Sequence, residues 1–255
     1  MKIIISPAKK MRADAEGFPI SGLPRRIAET ERLLQALRAM DAPALQALWK
    51  CNDELAALNV QRVRDMDLRR NLTPAILAYD GLQYRHMAPG VFTQGELDYV
   101  QAHLRILSGF YGALAPLDGV VPYRLEMQAK LRADGAKDLY AFWGEKLYLD
   151  VLDDDRTIIN LASREYARAI EARLRPGDRF ITADFLCGGE APRMKATLAK
   201  AARGEMLRFM AENRVESAED MKAFHALDFE FCPERSDGAR LTFIQRPRDI
   251  RRGDF

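Results

Sequence analysis

The order of the predicted secondary-structure elements constrains this fold most strongly, because helices dominate the first half and paired strands come late. Lys2–Ser6 is rich in β-branched residues and stops at Pro7, which predicts a buried strand. Thr157–Leu161 has the same character. Apolar stripes and capping residues predict helices at Arg25–Met40, 43–50, 52–64, Ala75–Met87, Glu96–Leu107, Leu139–Val151, Arg164–Leu174, Ala201–Asn213 and Ser217–Phe224. This mixed order favours an α+β fold.

Two hairpins are predicted late in the chain. Phe180–Leu186 and Met194–Leu198 flank a glycine turn at 188–189, and Phe229–Phe231 and Leu241–Gln245 flank a turn at 236–238. No low-complexity linker or internal repeat interrupts the sequence. We therefore expect one compact mixed α/β domain spanning residues 1–255.

Composition argues against several classes of protein. The longest apolar runs are too short to cross a bilayer, and Ile3–Ile5 is too short for a secretion signal, so we expect a cytoplasmic protein without membrane contact. The cysteines are odd in number and far apart, at Cys51, Cys187 and Cys232, which fits a reducing compartment and argues against structural zinc. The histidines lack ligand spacing, and no P-loop or G-x-G-x-x-G motif is present. We expect neither a metal nor a cofactor.

The charge balance gives no global sign of a nucleic-acid partner. There are 39 basic and 37 acidic residues, for a formal net charge of +2. A DNA-binding surface would therefore require that the basic groups concentrate on one face of the folded chain.

Basic residues directly follow the first predicted strand. Ser6, Lys9 and Lys10 place a hydroxyl and two ammonium groups beyond a strand end, where ligands such as phosphate often bind. A solvated exit loop explains the same residues. Lys200 and Arg203 lie around a predicted helix start, which favours either phosphate binding or a solvated face.

Two further segments allow more than one interpretation. Ser108–Tyr123 is rich in Gly and Pro and is predicted as a long ordered loop, which in compact domains is often functional. Arg124 and Glu126 would point to the same side of a strand, as a site or as an ordinary ion pair. Asn160 and Ser163 are capping residues, and a helix cap explains Ser163 without a function.

The segment 87–92 joins two predicted helices and contains the pair Pro89-Gly90. It looks like a helix-hairpin-helix, in which hairpin amides and a helix N-terminus hold a DNA phosphate. Phe92 occupies the usual second glycine position, and Glu96 and Asp98 place negative charge nearby. A plain helix-packing element accounts for the pattern equally well.

An ordered set of short motifs resembles the YaaA family. The motifs are SPAK at 6–9, HLRILSGFYGAL at 103–114, PLD at 116–118, PYRLEM at 122–127, FWG at 142–144, NLAS at 160–163 and ARG-x-M at 202–206. The resemblance implies a mixed α/β fold particular to the family, a positively charged cleft and a helix-hairpin-helix. It also implies binding to duplex, bubble or junction DNA, and a role in peroxide defence that includes repair and limits free-iron damage.

This sequence departs from the family pattern at two basic positions. Ala115 stands before the PLD motif, and Ala201 replaces a lysine in the Lys-Lys-Ala-Arg-Gly motif. Each lost cation removes about one phosphate contact from a DNA complex. The arginines at 246, 248, 251 and 252 either compensate for this loss or keep the C-terminal tail solvated.

The resulting hypothesis is a DNA-binding protein without sequence specificity, and it is more consistent with a non-enzyme than with an enzyme. The expected partner is the DNA backbone, with no obligate protein partner. The candidate contacts are Lys9, Lys10, Gly90, Arg105, Ser108, Tyr111, Arg124, Asn160, Ser163, Lys200 and Arg203. One alternative is a repair enzyme that acts on a nucleobase or glycosidic bond, with Tyr123 and Glu126 as candidate catalytic residues. A second alternative is an iron-sequestering protein.

Overall fold

Eleven strands form in a computed structural model that describes residues 1–13, 18–188 and 191–245. In chain order they are β1 (Lys2–Ile5), β2 (Lys10–Met11), β3 (Thr73–Pro74), β4 (Tyr79–Asp80), β5 (Leu104–Ser108), β6 (Gly112–Leu114), β7 (Gly119–Val120), β8 (Thr157–Leu161), β9 (Arg179–Cys187), β10 (Phe229–Phe231) and β11 (Arg240–Gln245). The helices are α1 (Ile27–Arg38), α2 (Ala42–Trp49), α3 (Asp53–Asp65), α4 (Ala75–Ala78), α5 (Leu82–Met87), α6 (Gln94–His103), α7 (Leu139–Trp143), α8 (Lys146–Val151), α9 (Arg164–Glu171) and α10 (Ala196–Glu212).

Seven of these strands form one mixed sheet in the order β10-β11-β9-β8-β1-β5-β6. The five inner strands run parallel, and β10 and β6 pair antiparallel at the two edges. Strand β1 lies between β5 and β8, and Ile5 pairs with both Ile106 and Leu161. Ile3, Ile4 and Ile5 are fully buried, as expected for a strand covered on both faces. The prediction of a mixed α/β fold is confirmed.

Two predicted helices are wrong in part. The segment Ala75–Met87 forms α4 and α5, with the short strand β4 between them. The predicted helix Glu96–Leu107 begins earlier, at the capping box of Thr93, and ends at His103, so its last turn is strand β5 instead. The reason is tertiary: β5 pairs with the buried β1, and this pairing outweighs the helical spacing of its leucines.

The predicted hairpin of Phe180–Leu186 with Met194–Leu198 is also wrong. Strand β9 pairs in parallel with β8 and β11, and helix α10 begins at Ala196. Between the two segments an isolated bridge joins Cys187 to Arg193, and position 189 lies outside the described residues. The final hairpin of β10 with β11 is confirmed.

Other predicted boundaries need smaller corrections. The segment Leu139–Val151 forms two helices, α7 and α8, and the Ser108–Tyr123 loop contains the short strands β6 and β7. The predicted helix Ser217–Phe224 is reduced to a 3-10 turn at Asp220–Ala223. The arginines at 246, 248, 251 and 252 lie outside the described residues.

Helices α5 and α10 pack closely because a glycine lies at their contact. A Cβ atom on Gly204 would overlap the carbonyl oxygen of Gln83 and lie 2.9 Å from the Cβ of His86 and 3.0 Å from the amide nitrogen of Met87. The two backbones therefore touch directly. This contact fixes the position of α10 beside the ends of the central strands. Among the described residues, no helix is both long and apolar enough to cross a bilayer.

Candidate functional site

A cleft of about 520 Å³ opens beyond the carboxyl ends of β1 and β8. Strand β5, the next strand of this sheet in chain order, pairs with one edge of β1. Strand β8, which comes later in the chain, pairs with the opposite edge of β1. This reversal of direction makes the β1–β8 boundary a topological switch point, where open parallel sheets most often bind ligands. The location of the cleft thus follows from the strand order.

Two serines join the strand ends at the floor of the cleft. The Ser163 amide donates to Ser6 Oγ at 2.8 Å, and the two hydroxyl oxygens lie 3.1 Å apart. Ser163 occupies the N-cap position of α9, but its side chain makes no capping hydrogen bond. The simple capping interpretation of Ser163 is therefore wrong: its hydroxyl faces Ser6 and the cleft instead.

Five cationic side chains from three separate segments line the cleft. They are Lys9, Lys10, Arg124, Lys200 and Arg203. The sequence predicts all five as phosphate contacts, and the fold brings them to a single concave surface. This convergence meets the requirement that a nearly neutral chain must satisfy in order to attract a polyanion.

Three carboxylates share the cleft with these cations. Glu126 forms ion pairs with Lys9 at 3.0 Å and with Arg124 at 3.4 Å. Residues 123–127 do not form the strand that the sequence predicts. Lys10 pairs with Asp80 at 2.9 Å. Because Lys9 and Lys10 are largely exposed, these pairs contribute little to stability and an arriving phosphate can compete for the lysines.

Arg203 is the exception among the five cations because it is buried. It is 9% exposed, its Nε has no hydrogen-bond partner among the described residues, and no described carboxylate forms an ion pair with it. Burial lowers the pKa of its guanidinium, and the charge of Asp184 acts in the opposite direction. Lys200, one helical turn earlier, is exposed at the rim. Both residues lie inside α10, so the prediction that they flank a helix start is wrong.

Tyrosines form the wall of the cleft behind the serines. Tyr84 donates from its hydroxyl to the carbonyl of Ser6 at 2.9 Å. The Tyr123 hydroxyl lies 2.6 Å from Ser108 Oγ and 2.9 Å from the Tyr79 hydroxyl. Burial raises the pKa of Tyr123 to about 12, so its hydroxyl stays protonated at neutral pH. Tyr123 is therefore a poor general base.

Glu165 is a cleft residue that the sequence did not indicate. Burial raises the pKa of its carboxyl, and the nearby charge of Glu126 acts in the same direction. One carboxylate oxygen accepts from the Gln128 amide at 3.1 Å. The only signal in the sequence was its position at the start of a helix that follows a strand, a pattern shared by many exposed residues.

Four other predicted contacts are separate from the cleft surface. Ser108, Tyr111 and Asn160 are buried and bonded internally, to the Phe110 amide, the Val121 amide and the Ala162 amide respectively. Arg105 lies near the start of β5, at the opposite end of the strands, and donates to the carbonyls of Gln101 and Leu104. In this conformation these residues support the fold.

The predicted hairpin lies in a groove next to the cleft. Helix α5 is followed by a 3-10 turn at Pro89–Val91 and then by α6, and Gly90 is exposed at the tip. The groove shares Asp80 and Tyr84 with the cleft, so the two surfaces are continuous. Whether the turn binds phosphate as a helix-hairpin-helix stays a prediction.

A second cavity of about 520 Å³ lies at the other end of the sheet. Its lining includes Arg179, Lys222, Glu216 and Glu219. Its carboxylate residues outnumber its cationic side chains, and these cations are separate from those of the cleft. Arg179 and Lys222 therefore serve as comparison residues for the experiments below.

Comparisons with known proteins agree over almost the whole chain. A family model described as "Peroxide stress protein YaaA" matches residues 1–235. A UPF0246 protein of Agathobacter rectalis is 49% identical over 248 residues, which cover 96% of this chain and 99% of that protein. A UPF0246 protein of Lactiplantibacillus plantarum is 50% identical over 247 residues, with 96% and 99% covered. A third, of Pediococcus pentosaceus, is 46% identical over 247 residues, with 96% and 98% covered.

Proposed function

This chain belongs to the YaaA family of peroxide stress proteins, and from that premise we propose that it is a cytoplasmic DNA-binding protein. It binds DNA through the backbone, largely without sequence specificity. In this way it protects DNA during peroxide stress and limits the toxicity of free iron.

The observation that carries the proposal is the convergence of cations on the cleft. Lys9, Lys10 and Lys200 are exposed at its rim, and their ammonium groups belong to two segments far apart in sequence. Point charges of this kind attract phosphate oxygens regardless of the base that follows. These exposed cations support binding to the phosphate backbone rather than to base edges.

The groove at the 3-10 turn extends this surface. Arg12, Arg85 and Gly90 line it, next to the shared Asp80. A helix-hairpin-helix contact at Gly90 would place a second phosphate beside the first. The proposed path of the DNA strand therefore runs from the cleft to the hairpin.

The salt dependence of duplex binding tests the proposal. A double variant, Lys9→Ala with Lys200→Ala, removes two rim cations that lie in the cleft. Each neutralised phosphate contributes about 0.9 to the slope of log affinity against log salt. We expect the variant to lower that slope by about 1.8, measured by fluorescence anisotropy with a 20-mer duplex.

The matched control removes the same charge elsewhere. Arg179→Ala with Lys222→Ala neutralises two cations of the opposite cavity, and its salt slope should equal that of the unmodified protein. Equal slopes for both double variants would show that net charge alone, not the cleft, attracts DNA.

Two of the three cleft carboxylates support a second candidate function, an enzyme that acts on a nucleobase or glycosidic bond. Glu165 is partly buried with a raised pKa, which is the property of a general acid, and Glu126 lies across the same cleft. Tyr123 is less suited to catalysis because its hydroxyl is already bound by Ser108 and Tyr79.

Turnover decides between these two functions. The protein is incubated at a tenth of the substrate concentration with duplexes that contain one oxidised or abasic nucleotide. Cleavage or base release that is lost in Glu165→Gln would support the enzyme. Intact substrates after prolonged incubation would eliminate it.

The iron-sequestering alternative has less support. Within residues 1–13, 18–188 and 191–245, no group of three His, Cys, Asp or Glu side chains is placed to hold a metal ion. We therefore attribute the limit on iron toxicity to protection of the DNA.

A further inference from the structure

We infer that the cleft holds one single nucleotide, with its phosphate between Arg203 and the N-terminus of α9. The inference deepens the proposed function, and rests on it where the nucleotide belongs to a bound DNA strand. The shared chemistry is a nucleoside phosphate, either free or extruded from a strand. The proposed function is argued from the exposed cations at the rim of the cleft, whereas this inference is argued from buried groups inside it.

The first observation is the unpartnered charge of Arg203. A cation that is nine-tenths buried without an ion-paired carboxylate is costly to the fold, because the charge loses hydration and gains only the Coulombic interaction with Asp184 in return. Its side chain lines the cleft. An anion that enters the cleft would supply the missing partner, and a phosphate matches the geometry of a guanidinium.

The second observation is the uncapped start of α9. The Tyr166 and Ala167 amides both donate to the Ser163 carbonyl, and the Ser163 side chain makes no capping bond. The amides of Arg164 and Glu165, at the first two positions of the helix, have no acceptor within it. Backbone donors at a helix start favour a phosphate, and here Ser163 and Glu165 line the same cleft as Arg203.

Size and polarity favour a nucleotide over an isolated phosphate or a duplex. A volume of about 520 Å³ is that of a small-molecule pocket and cannot enclose a double helix. Leu82, Leu125 and Tyr166 give it an apolar wall against which a base can lie. Glu126 and Glu165 provide acceptors for amino and hydroxyl groups of the nucleoside.

The test compares a fully paired 20-mer duplex with the same duplex carrying one unpaired thymidine, and with free thymidine 5′-monophosphate. We expect the bulged duplex to bind at least about tenfold tighter than the paired one, the equivalent of one charge-assisted hydrogen bond. In Arg203→Met this ratio should fall to about one.

Thermal unfolding separates a ligand role from a structural role of Arg203. Because the buried charge lacks a partner, Arg203→Met should unfold at the same temperature as the unmodified protein or higher. Arg208→Met, at a half-exposed position of the same helix outside the cleft lining, is the control and should retain the tenfold ratio. A folded Arg203→Met that keeps the full ratio overturns the inference.

A second pair of variants removes a single amide. Ser163 has φ −73° and ψ 159°, an extended conformation that a following proline favours, so Arg164→Pro deletes one N–H at a position where proline is tolerated. Arg164→Ala removes only the side chain. We expect the ratio of affinities for the bulged and the paired duplex to fall about fivefold in the proline variant and less than about twofold in the alanine variant. Equal effects would contradict an amide–phosphate contact.

The outcomes distinguish a free nucleotide from one extruded from a strand, and they distinguish failure of this inference from failure of the proposed function. Binding of the monophosphate that depends on Arg203, without a bulge preference, assigns the pocket to a free nucleotide. If the monophosphate binds but no duplex does, the proposed function fails and the pocket stands. If duplex binds through the rim cations but neither the bulge nor the monophosphate depends on Arg203, the inference fails alone.

Discussion

Substitution of Gly204 by alanine tests the contact that holds the cleft together. Helix propensity alone predicts a gain of about 1 kcal/mol from this change. However, the new Cβ would overlap the Gln83 carbonyl oxygen and lie 3.0 Å from the Met87 amide nitrogen. Both are backbone atoms and cannot rotate away, so the helices must separate.

The expected magnitude follows from these two opposing effects. Overpacking against rigid neighbours costs about 3 kcal/mol at the upper end of the usual range. After the helix-propensity gain, the net loss is about 2 kcal/mol, which lowers the melting temperature by about 4–8 °C for a chain of this size. Since α5 carries Tyr84 and α10 carries Arg203, the separation also widens the cleft.

The matched control is Gly95→Ala in α6. There the new Cβ would meet only the end of the flexible Arg214 side chain, at 2.7 Å, which can move away. We expect this variant to unfold at the same temperature as the unmodified protein or slightly higher. Calorimetry or chemical denaturation measures both. A Gly204→Ala protein that is as stable as Gly95→Ala would refute the backbone contact.

Three further predictions concern Tyr123 in the cleft wall and two carboxylates outside the cleft, Asp118 and Asp150. Burial raises the pKa of Asp118 to about 6, so the folded state holds this proton more tightly than the unfolded chain and stability falls as pH rises from about 4 to 6. Asp118→Asn should flatten that decline in urea titrations. Tyr123→Phe removes the buried hydroxyl that Ser108 and Tyr79 both contact and should cost about 1–3 kcal/mol in the same assay, without change in the salt slope of duplex binding. Asp150→Ala removes the carboxylate that Arg26 contacts twice at 2.7 Å, and should cost about 3 kcal/mol of unfolding free energy; a loss below about 1 kcal/mol would contradict a buried pair.

Local sequence signals predicted the elements whose stability is local. Helix α2 has Pro43 in its first turn, and Asn52 caps α3 by accepting a hydrogen bond from the Leu55 amide. Capping residues and prolines at helix starts can be recognised in a sequence because they act within a single helical turn. The strands β1 and β8 were predictable from their β-branched composition.

Non-local pairing explains the elements that the sequence did not predict. The leucines of β5 continue the spacing of α6, and only the pairing of Ile5 with Ile106, about a hundred residues apart, makes that segment a strand. Strand β9 pairs with β11, although helix α10 separates the two strands in the sequence. The sequence had predicted a local hairpin for β9 instead. Register between distant strands leaves no short-range signal.

In the candidate site, too, local motifs were predictable and contacts between distant segments were not. The motifs identified Lys9, Arg124, Lys200 and Arg203 individually, and the fold places all four on one cleft. The contact of Ser6 with Ser163 was not predictable, because it depends on β1 and β8 being neighbours. Nor does any sequence pattern distinguish Arg203, buried and unpartnered, from Lys200, which is exposed one turn away.

Lysine footprinting tests most directly the claim that one cleft gathers the cations that hold DNA. The protein is acetylated with and without a saturating 20-mer duplex, and modification of each lysine is measured by mass spectrometry. We predict strong protection of Lys9, Lys10 and Lys200, and unchanged reactivity of Lys137 and Lys222. Protection of Lys222 with full reactivity at Lys9 and Lys200 would contradict the account.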